Sequence, residues 1–360
     1  MKKNIMGGII SGVMTMAGNF VRYHLLRKKA LRPLYVVWHP TLRCNLSCAF
    51  CDDGNGEKYP DVFQRELNTR EALNLLELLR SASRSIYFTG GEPFVRKDFP
   101  RLLTYAKELG FQPIFVNTNL TQRTAIETAI QDIDVLVVSL GSMDCNSYDR
   151  IIRGSPGQTA RILKNLEYFA GLKGGPLIVV NCVICNHRVH DAWAVYEYCK
   201  KLGIYFSPVP RIKGCYVEPH ILENVVYQQI VDKWLNEKRN GAKIYGSIRG
   251  LEILLKQLPF RCYPSLAPQI YPNGDLFYPC KPLLRRPFNV LELGSFSTAW
   301  KKSLKTCSPM PPCDNRCHMA CYISNNQWME HPLEMVRENL RMIRSSKTDE
   351  SKTFYSRGSE

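Results

Sequence analysis

The sequence predicts an α/β protein: a parallel sheet curved into a partial (β/α)6 barrel over residues 34–210, with a small Cys-rich extension over 211–330. Three observations carry this reading. Short apolar runs alternate with amphipathic helical stretches six times, the alternation stops after Pro210, and the residues with chemical potential fall just past the apolar runs. Alternating strands and helices imply parallel pairing with helices covering the sheet. In such barrels reactive groups gather at the C-terminal strand ends.

Leu34–Trp38 reads as the first strand. Thr69–Ala82 has leucines at helical spacing, with Arg70, Glu71 and Glu77 left for solvent. Ser85–Phe88 is the second strand, Asp98–Leu109 a helix and Pro113–Val116 the third strand. Thr124–Ile133 is helical, Val135–Leu140 is a β-branched fourth strand and Thr159–Gly171 is helical again. Leu177–Ile184, Ala192–Leu202 and Ile204–Ser207 supply strand five, its helix and strand six. Residues 211–260 read as helical and connective. The last stretch, 331–360, reads as a helix running into a polar tail, disordered from Arg344 onward.

The chain has 360 residues, 45% of them apolar, enough for one large domain and an appendage. Its net charge is +16, and residues 1–51 hold eight basic side chains and no acidic one. Half of the surplus therefore sits in one segment. A nucleic-acid partner would call for basic residues spread over a groove, so that partner class is not expected. The uncharged run Ile5–Val21 is short and Gly-rich for a membrane span, which takes about 20 apolar residues. Followed by Arg22, Arg27, Lys28, Lys29 and Arg32, it suits a helix lying in a membrane interface. Each Lys or Arg near an anionic surface is worth about 1 kcal/mol. Residues 1–33 are thus expected to be a membrane-associating segment on a cytoplasmic protein, peripheral to the inner face of the membrane. The plainer alternatives are a loose tail or a helix packed on the protein body.

Fourteen cysteines fit either disulfides in a secreted protein or metal ligation in a reducing compartment. No small-x-small cleavage site precedes the basic cluster, and the cysteines are clustered, which favours metal. After strand one the chain reads Cys44-Asn-Leu-Ser-Cys48-Ala-Phe-Cys51. Three thiolates within eight residues can wrap one corner of an iron–sulfur cube and leave the fourth iron open, where a small molecule can chelate. A structural zinc or a closed electron-transfer cluster wants four ligands. A zinc site completed by a distant cysteine remains the alternative. Strand two runs into Thr89-Gly90-Gly91-Glu92-Pro93, in which paired glycines permit close backbone approach and Glu92 offers a carboxylate to an ammonium group.

CX3CXΦC with Phe50 as the aromatic, followed by Gly90-Gly91-Glu92, resembles the radical S-adenosylmethionine (radical SAM) enzymes over roughly residues 34–210. The resemblance implies a partial TIM-type barrel and a [4Fe–4S] cluster on Cys44, Cys48 and Cys51. It implies chelation of the open iron by the amine and carboxylate of S-adenosylmethionine. Glu92 and the Gly90–Gly91 backbone would hold the amine, and the backbone near Phe50 would face the adenine. Asn119, in Asn117-Thr118-Asn119 at the end of strand three, and Ser139, at the end of strand four, would add cofactor contacts, Ser139 to the ribose. Tyr148-Asp149-Arg150-Ile151-Ile152-Arg153-Gly154 resembles the family's H-D-x-x-R-G element, whose arginine pairs with the cofactor carboxylate. Tyr148 replaces the His and one residue is inserted, so Arg153 and Arg150 both qualify. Asn181 and Asn186 are weaker candidates for the adenine. The resemblance also implies a one-electron donor of flavodoxin or ferredoxin type.

Downstream, Cys262 and Cys280 frame the turn Pro272-Asn273-Gly274-Asp275, expected to form a hairpin. Cys307, Cys313, Cys317 and Cys321 follow, the last three spaced four apart. This resembles the SPASM/twitch extension of radical enzymes, which binds an auxiliary [4Fe–4S] cluster. Five residues rather than four separate Gly274 from Cys280, and the later spacing is not the two-cluster pattern. One auxiliary cluster on Cys262, Cys280 and two of Cys313, Cys317 and Cys321 is expected, with zinc or two clusters as alternatives. Cys145, Cys182, Cys185 and Cys199 read as packing residues, and Cys215 as a candidate hydrogen-atom donor. The expected function is reductive cleavage of S-adenosylmethionine to a 5′-deoxyadenosyl radical that modifies an unactivated carbon of a lipidic or membrane-delivered substrate. Peptide or protein modification is the rival enzyme reading, and an iron–sulfur or zinc scaffold at the membrane is the non-enzyme one.

Overall fold

The computed structural model describes residues 12–27, 31–51, 65–213, 216–278, 280, 288–306, 313 and 315–348. Cys215 and Cys307 therefore lie outside the described residues, as do most of the N-terminal run before Gly12 and the tail after Thr348.

Six strands pair in parallel and in chain order: β1 (Val36–Thr41), β2 (Ile86–Gly90), β3 (Ile114–Thr118), β4 (Val135–Ser139), β5 (Leu177–Ile184) and β6 (Tyr205–Pro210). Every residue of β1 is buried, as expected of a strand covered on both faces. The strands run two or three residues past their expected C-terminal ends, except β4 and β5. Most of those extra residues, such as Thr41, Thr118 and Pro208, are polar or proline, so hydropathy hides them, while backbone pairing continues through them.

Helices α2 (Thr69–Ala82), α3 (Phe99–Glu108), α4 (Arg123–Ala129), α5 (Cys145–Ile152), α6 (Gln158–Ala170) and α7 (Val189–Leu202) connect the strands. A capping box opens α2: the Asn68 side chain accepts from Glu71 N–H while Glu71 accepts from Asn68 N–H. Helix α5 escaped the sequence reading because it is short and half polar. Its determinants are the Asp144 cap, which accepts from Ser147 N–H at 3.1 Å, and a left-handed stop at Arg153 (φ 49°). Asp149 on α5 then accepts from Gly157 N–H, Thr159 N–H and the Thr159 hydroxyl, fixing the start of α6.

The 211–330 region is less separate than expected. It adds β7 (Ile212–Lys213), β8 (Tyr216–Val217), α8 (Pro219–Glu223), α9 (Val225–Arg239) and α10 (Ile248–Lys256). The anticipated hairpin is β9 (Gln269–Ile270) with β10 (Leu276–Phe277). Its first strand also pairs in parallel with β1, Trp38 opposite Ile270, so the hairpin prolongs the barrel sheet to eight strands in the order β10-β9-β1-β2-β3-β4-β5-β6. Among the described residues no pairing joins β6 to β10, so the barrel is open. Helices α11 (Phe296–Thr306), α12 (Ala320–Glu330) and α13 (Pro332–Thr348) follow. Helix α13 runs through Thr348, past Arg344 where the polar tail was expected to begin, and the rest of that tail lies outside the described residues.

At the N-terminus α1 covers 12–20 and continues as a π-helical turn, Val21–Leu25. Asn19, fully buried, clamps it by exchanging hydrogen bonds with the backbone of Arg32 at 2.8 and 2.9 Å. Met16 is buried and Tyr23 meets Tyr263 edge-on at 5.4 Å. The helix is therefore packed on the body, as one of the plainer alternatives held, yet Met14, Phe20, Val21, Leu25 and Leu26 remain exposed. Among the described residues no helix is long and apolar enough to cross a membrane.

The open side of the barrel is braced by a buried ion pair. Lys238 Nζ on α9 lies 2.5 Å from Glu338 Oε2 on α13 and donates to Ile244 O at 2.8 Å. Removing one member strands the other charge in a dry site, at a typical cost of about 3–5 kcal/mol. Glu338→Leu should lose about that much in urea unfolding, and Lys238→Met with Glu338→Leu should recover most of it. A double variant as unstable as the single one would show that the pair is not the brace.

Candidate active site

The site begins where β1 and β2 end. Gly91 N–H donates to Thr41 O at 3.0 Å and Glu92 N–H to Arg43 O at 2.9 Å, so the Gly-Gly-Glu loop is stitched to the start of the cysteine loop. A Cβ on Gly90 would stand 2.3 Å from Thr41 O, and one on Gly91 would stand 2.1 Å from Arg43 O. Gly90 also has φ +118°. These glycines are required by the approach of two protein backbones, one step before any ligand is considered.

The cysteine loop is held from its other side by α5. Ser47 N–H donates to Ile152 O at 3.3 Å and Ala49 N–H to Ile151 O at 2.8 Å. This brings Arg153, the next residue, into electrostatic contact with Cys48. Arg150 shows no such contact. Cys44 Sγ accepts from Leu46 N–H at 3.4 Å and from Asn119 Nδ2 at 3.7 Å. Asn119 also donates to Asn45 and accepts from the Thr121 hydroxyl at 2.6 Å, so its amide is oriented. Cys44, Cys48 and Cys51 interact electrostatically with one another. Burial, and then the neighbouring thiols, push Cys48 up to about 12 and raise Cys44. Thiols held protonated in this way ionise when a cation supplies the compensating charge. Among the described residues no three His, Cys, Asp or Glu side chains have the geometry to hold a single metal ion. A four-iron cube needs thiolates set further apart than one ion does. Three thiols on one loop, two N–H donors on Cys44 and a guanidinium beside Cys48 fit such a cluster and a carboxylate-bearing ligand.

Glu92 is fully buried. It accepts from the Thr118 hydroxyl at 3.0 Å, Asn119 N–H at 2.6 Å and Phe94 N–H at 3.2 Å, thereby tying β2 to the end of β3. Burial raises it to about 7 against those donors. Tyr148, in the place of the family histidine, is also buried, with its ring against Gly141 and its hydroxyl pushed up by burial and by Cys48. Phe50 is half-buried against the core, and Ser139 stands opposite Asn181 across β4 and β5. Asn186 is instead taken up by the cap of α9, accepting from Asn224 Nδ2 at 2.8 Å. Cys182, Cys185 and Cys199 are buried, and Cys145 is half-buried.

Below this rim the barrel lumen encloses a cavity of about 510 Å3. Its upper lining is polar: His39, Thr89, Asn181 and Ser207. Deeper it is mainly apolar and aromatic, with Tyr35, Tyr87, Phe115, Val137 and Val179, the rings of Tyr87 and Phe115 stacking at 5.7 Å, while the paired Lys238 and Glu338 also border it.

The second cysteine group lies on the far side of the lumen. Cys262, Cys280, Cys317 and Cys321 pack around one small apolar cluster, whereas Cys313 is exposed. Cys262 and Cys317 each interact electrostatically with Cys280, Cys313 and Cys321, and burial pushes Cys317 up to about 12. The hairpin thus does return Cys280 to Cys262. Two residues missed by the sequence reading link the groups: His39 Nε2 lies 3.2 Å from Gln269 Oε1, and Gln269 Nε2 lies 3.7 Å from Cys321 Sγ. No local pattern marks them, since the β1–β9 pairing creates the contact.

Fold and rim together define a barrel built to hold a cluster and a chelating ligand at its C-terminal end. Residues 38–204 match the model of the Radical SAM superfamily, and that span is a radical SAM domain. Its cofactors are accordingly a [4Fe–4S] cluster and S-adenosylmethionine. The chain is 31% identical over 194 residues to the Fe-coproporphyrin III synthase of Methanosarcina barkeri, covering 52% of this chain and 45% of the synthase. It is 27% identical over 222 residues to the probable GTP 3′,8-cyclase of Methanococcus maripaludis, covering 59% of this chain and 72% of the cyclase. The chain thus spans about half the length of the first of these relatives. The fold is similar to that of Streptococcus suis SuiB bound to its precursor peptide SuiA, with TM-score 0.61, 17% identity, and coverage of 86% of this chain and 74% of SuiB.

Glu92 gives this subsection's test. A carboxyl whose folded pKa stands near 7, above the ordinary 4.5, binds its proton more tightly folded than unfolded. Its favourable contribution is complete below 4.5 and is lost as pH rises to about 7. Glu92→Gln has no proton to lose. The stability of the metal-free variant relative to wild type should therefore rise by about 3 kcal/mol between those pH values in urea titrations. A pH-independent difference would refute the raised pKa.

Proposed function

We propose that this protein is a radical SAM enzyme that modifies an unactivated carbon of an apolar substrate bound in the barrel lumen. The observation that carries the reading is convergence: Cys44, Cys48, Cys51, Gly90, Gly91, Glu92, Asn119 and Arg153 meet at one rim, and Thr89, the neighbour of Gly90, borders the lumen cavity. When bound, the cluster passes one electron to S-adenosylmethionine, breaking the S–C5′ bond to give methionine and a 5′-deoxyadenosyl radical. The radical takes a hydrogen atom from the substrate or adds to it.

The side chains divide the work. Cys44, Cys48 and Cys51 ligate, and Asn119 holds the Cys44 sulfur and orients the loop. The Gly90–Gly91 backbone and Glu92 form the seat of the cofactor amine, Arg153 takes its carboxylate, and Phe50 and Ser139 flank adenine and ribose. A flavodoxin- or ferredoxin-type protein supplies the electron. An auxiliary [4Fe–4S] cluster belongs on Cys262, Cys280, Cys317 and Cys321. Cys313 is the weaker fourth ligand because it stands in solvent while the other four share one apolar cluster.

The relatives' names span porphyrin and nucleotide chemistry, so the substrate class rests on the lumen and on α1. Apolar and aromatic deep walls favour a lipidic molecule. The exposed apolar side chains of α1, with Arg22 and Arg27 beside them, favour a protein peripheral to the cytoplasmic face of a membrane.

Anaerobic reconstitution with iron counting should give about eight irons per chain for two cubes and about four for one. Under dithionite the wild type should form 5′-deoxyadenosine. Cys48→Ala should form none, whereas Cys317→Ala should retain uncoupled cleavage and lose modified product. Cleavage by Cys48→Ala would overturn the ligand assignment.

A further inference from the structure

Helix α12 forms one wall of the lumen. Cys321, Ser324, Asn325 and Trp328, spaced i, i+3, i+4 and i+7, all border the cavity and so lie on one face, about 10 Å from end to end. That face is graded. Near its start His318 is 4% exposed with no partner at either ring nitrogen, and Asn325, equally buried, stands beside the Tyr35 hydroxyl. Both border the cavity. Buried donors and acceptors left in this state are costly unless something binds them. At the other end Trp328 is half-buried and packs with Met16, Tyr23, Leu31 and Leu34, which seat α1 on the body. Gly12 of α1 itself borders the cavity, and a Cβ there would meet nothing within 4 Å.

The outer side of the same helix is the most apolar exposed surface of the molecule. Of the thirteen exposed large apolar side chains among the described residues, six lie between Val13 and Leu26, Met14 and Leu25 being 71% and 74% exposed. Between Gly12 and Arg27 the basic side chains are Arg22 and Arg27 and there is no acidic one, so this surface is complementary to anionic headgroups. One apolar cluster, built on Met16, Leu31 and Tyr263 with Tyr23 and Trp328 packed against it, therefore joins the inner side of α1 to the α12 face that borders the lumen.

We infer that α1 is the lipid-facing lip of the substrate cavity, and that an amphipathic lipid-class molecule loads from an anionic bilayer past Gly12 and Trp328. Its polar end reaches Asn325 and His318, and its apolar body lies among Tyr35, Tyr87 and Phe115. This rests on the reading that the lumen holds the substrate of the radical chemistry.

The test uses the full chain, reconstituted anaerobically, with phosphatidylcholine–phosphatidylglycerol vesicles whose acyl chains are plain or brominated. Bromine quenches tryptophan on close approach. Wild type should sediment with the vesicles and be quenched by the brominated ones, and Trp328→Phe should remove at least half of that quenching while sedimenting unchanged. Phe20→Glu with Leu25→Glu, both at exposed positions, should sediment at least ten-fold less and still form 5′-deoxyadenosine in solution at the wild-type rate. Sedimentation with quenching unaffected by Trp328→Phe would overturn the loading route. Failure of wild type to sediment, or equal sedimentation with pure phosphatidylcholine, would overturn the docking surface. Failure to form 5′-deoxyadenosine would instead sink the radical reading, whatever the vesicles showed.

Discussion

Two carbonyl oxygens set the geometry of this molecule's reactive end. Thr41 O and Arg43 O come so close to Gly90 and Gly91 that no Cβ fits, and each also accepts a hydrogen bond from the Gly-Gly-Glu loop. The loop after β2 is thereby fixed against the loop after β1, and the three thiols inherit their position from that contact. Glu92 carries the constraint one strand further through Thr118 and Asn119, and Asn119 returns it to Cys44. The circuit closes within the protein. Glu92 clasps β3 tightly enough to shape the strand ends whatever charge it carries.

Burial has two opposite consequences here. It makes the strand ends rigid, because backbone and side-chain donors there have no water to turn to. It also raises the thiols and Glu92, which favours their neutral forms. A site of this kind is assembled by folding but charged only by its metal, so metal affinity and local order are coupled. Arg153 is a basic group brought to Cys48, and it arrives on a left-handed helix stop. That stop explains how an arginine one residue out of step with the family element still reaches the cluster loop.

Much of this was legible in the sequence, because its signals are local. Thr69–Ala82 and Leu177–Ile184 match their expected bounds, since a strong apolar period leaves little choice of register. The cysteine and Gly-Gly-Glu motifs are short enough for one loop each to present them. What the sequence hid depends on distant pairing. Helix α5 is specified by capping bonds rather than by apolar spacing. The contact of His39 with Gln269, and of Gln269 with Cys321, exists only because β9 lies beside β1, two hundred and thirty residues away in the chain. The packing of α1 turns on Asn19, whose polar side chain gave no hint of burial until Arg32 supplied its partners.

That β9–β1 pairing changes the status of the Cys-rich segment. An appended cluster domain joined by a linker would sit wherever its linker allowed. Here the hairpin is part of the barrel sheet, and α12 is part of the cavity wall, so the second thiol group cannot move independently of the first. Cys321 borders the lumen directly, and the hydrogen-bonded line from His39 through Gln269 to Cys321 crosses from one cysteine group toward the other. Any molecule in the lumen would therefore touch Cys321 and the α12 face as well as the barrel strands. The extension is thus better regarded as part of the barrel sheet and of the cavity wall than as an accessory module, and its sequence is constrained by packing against α10 and β1 as well as by its cysteines.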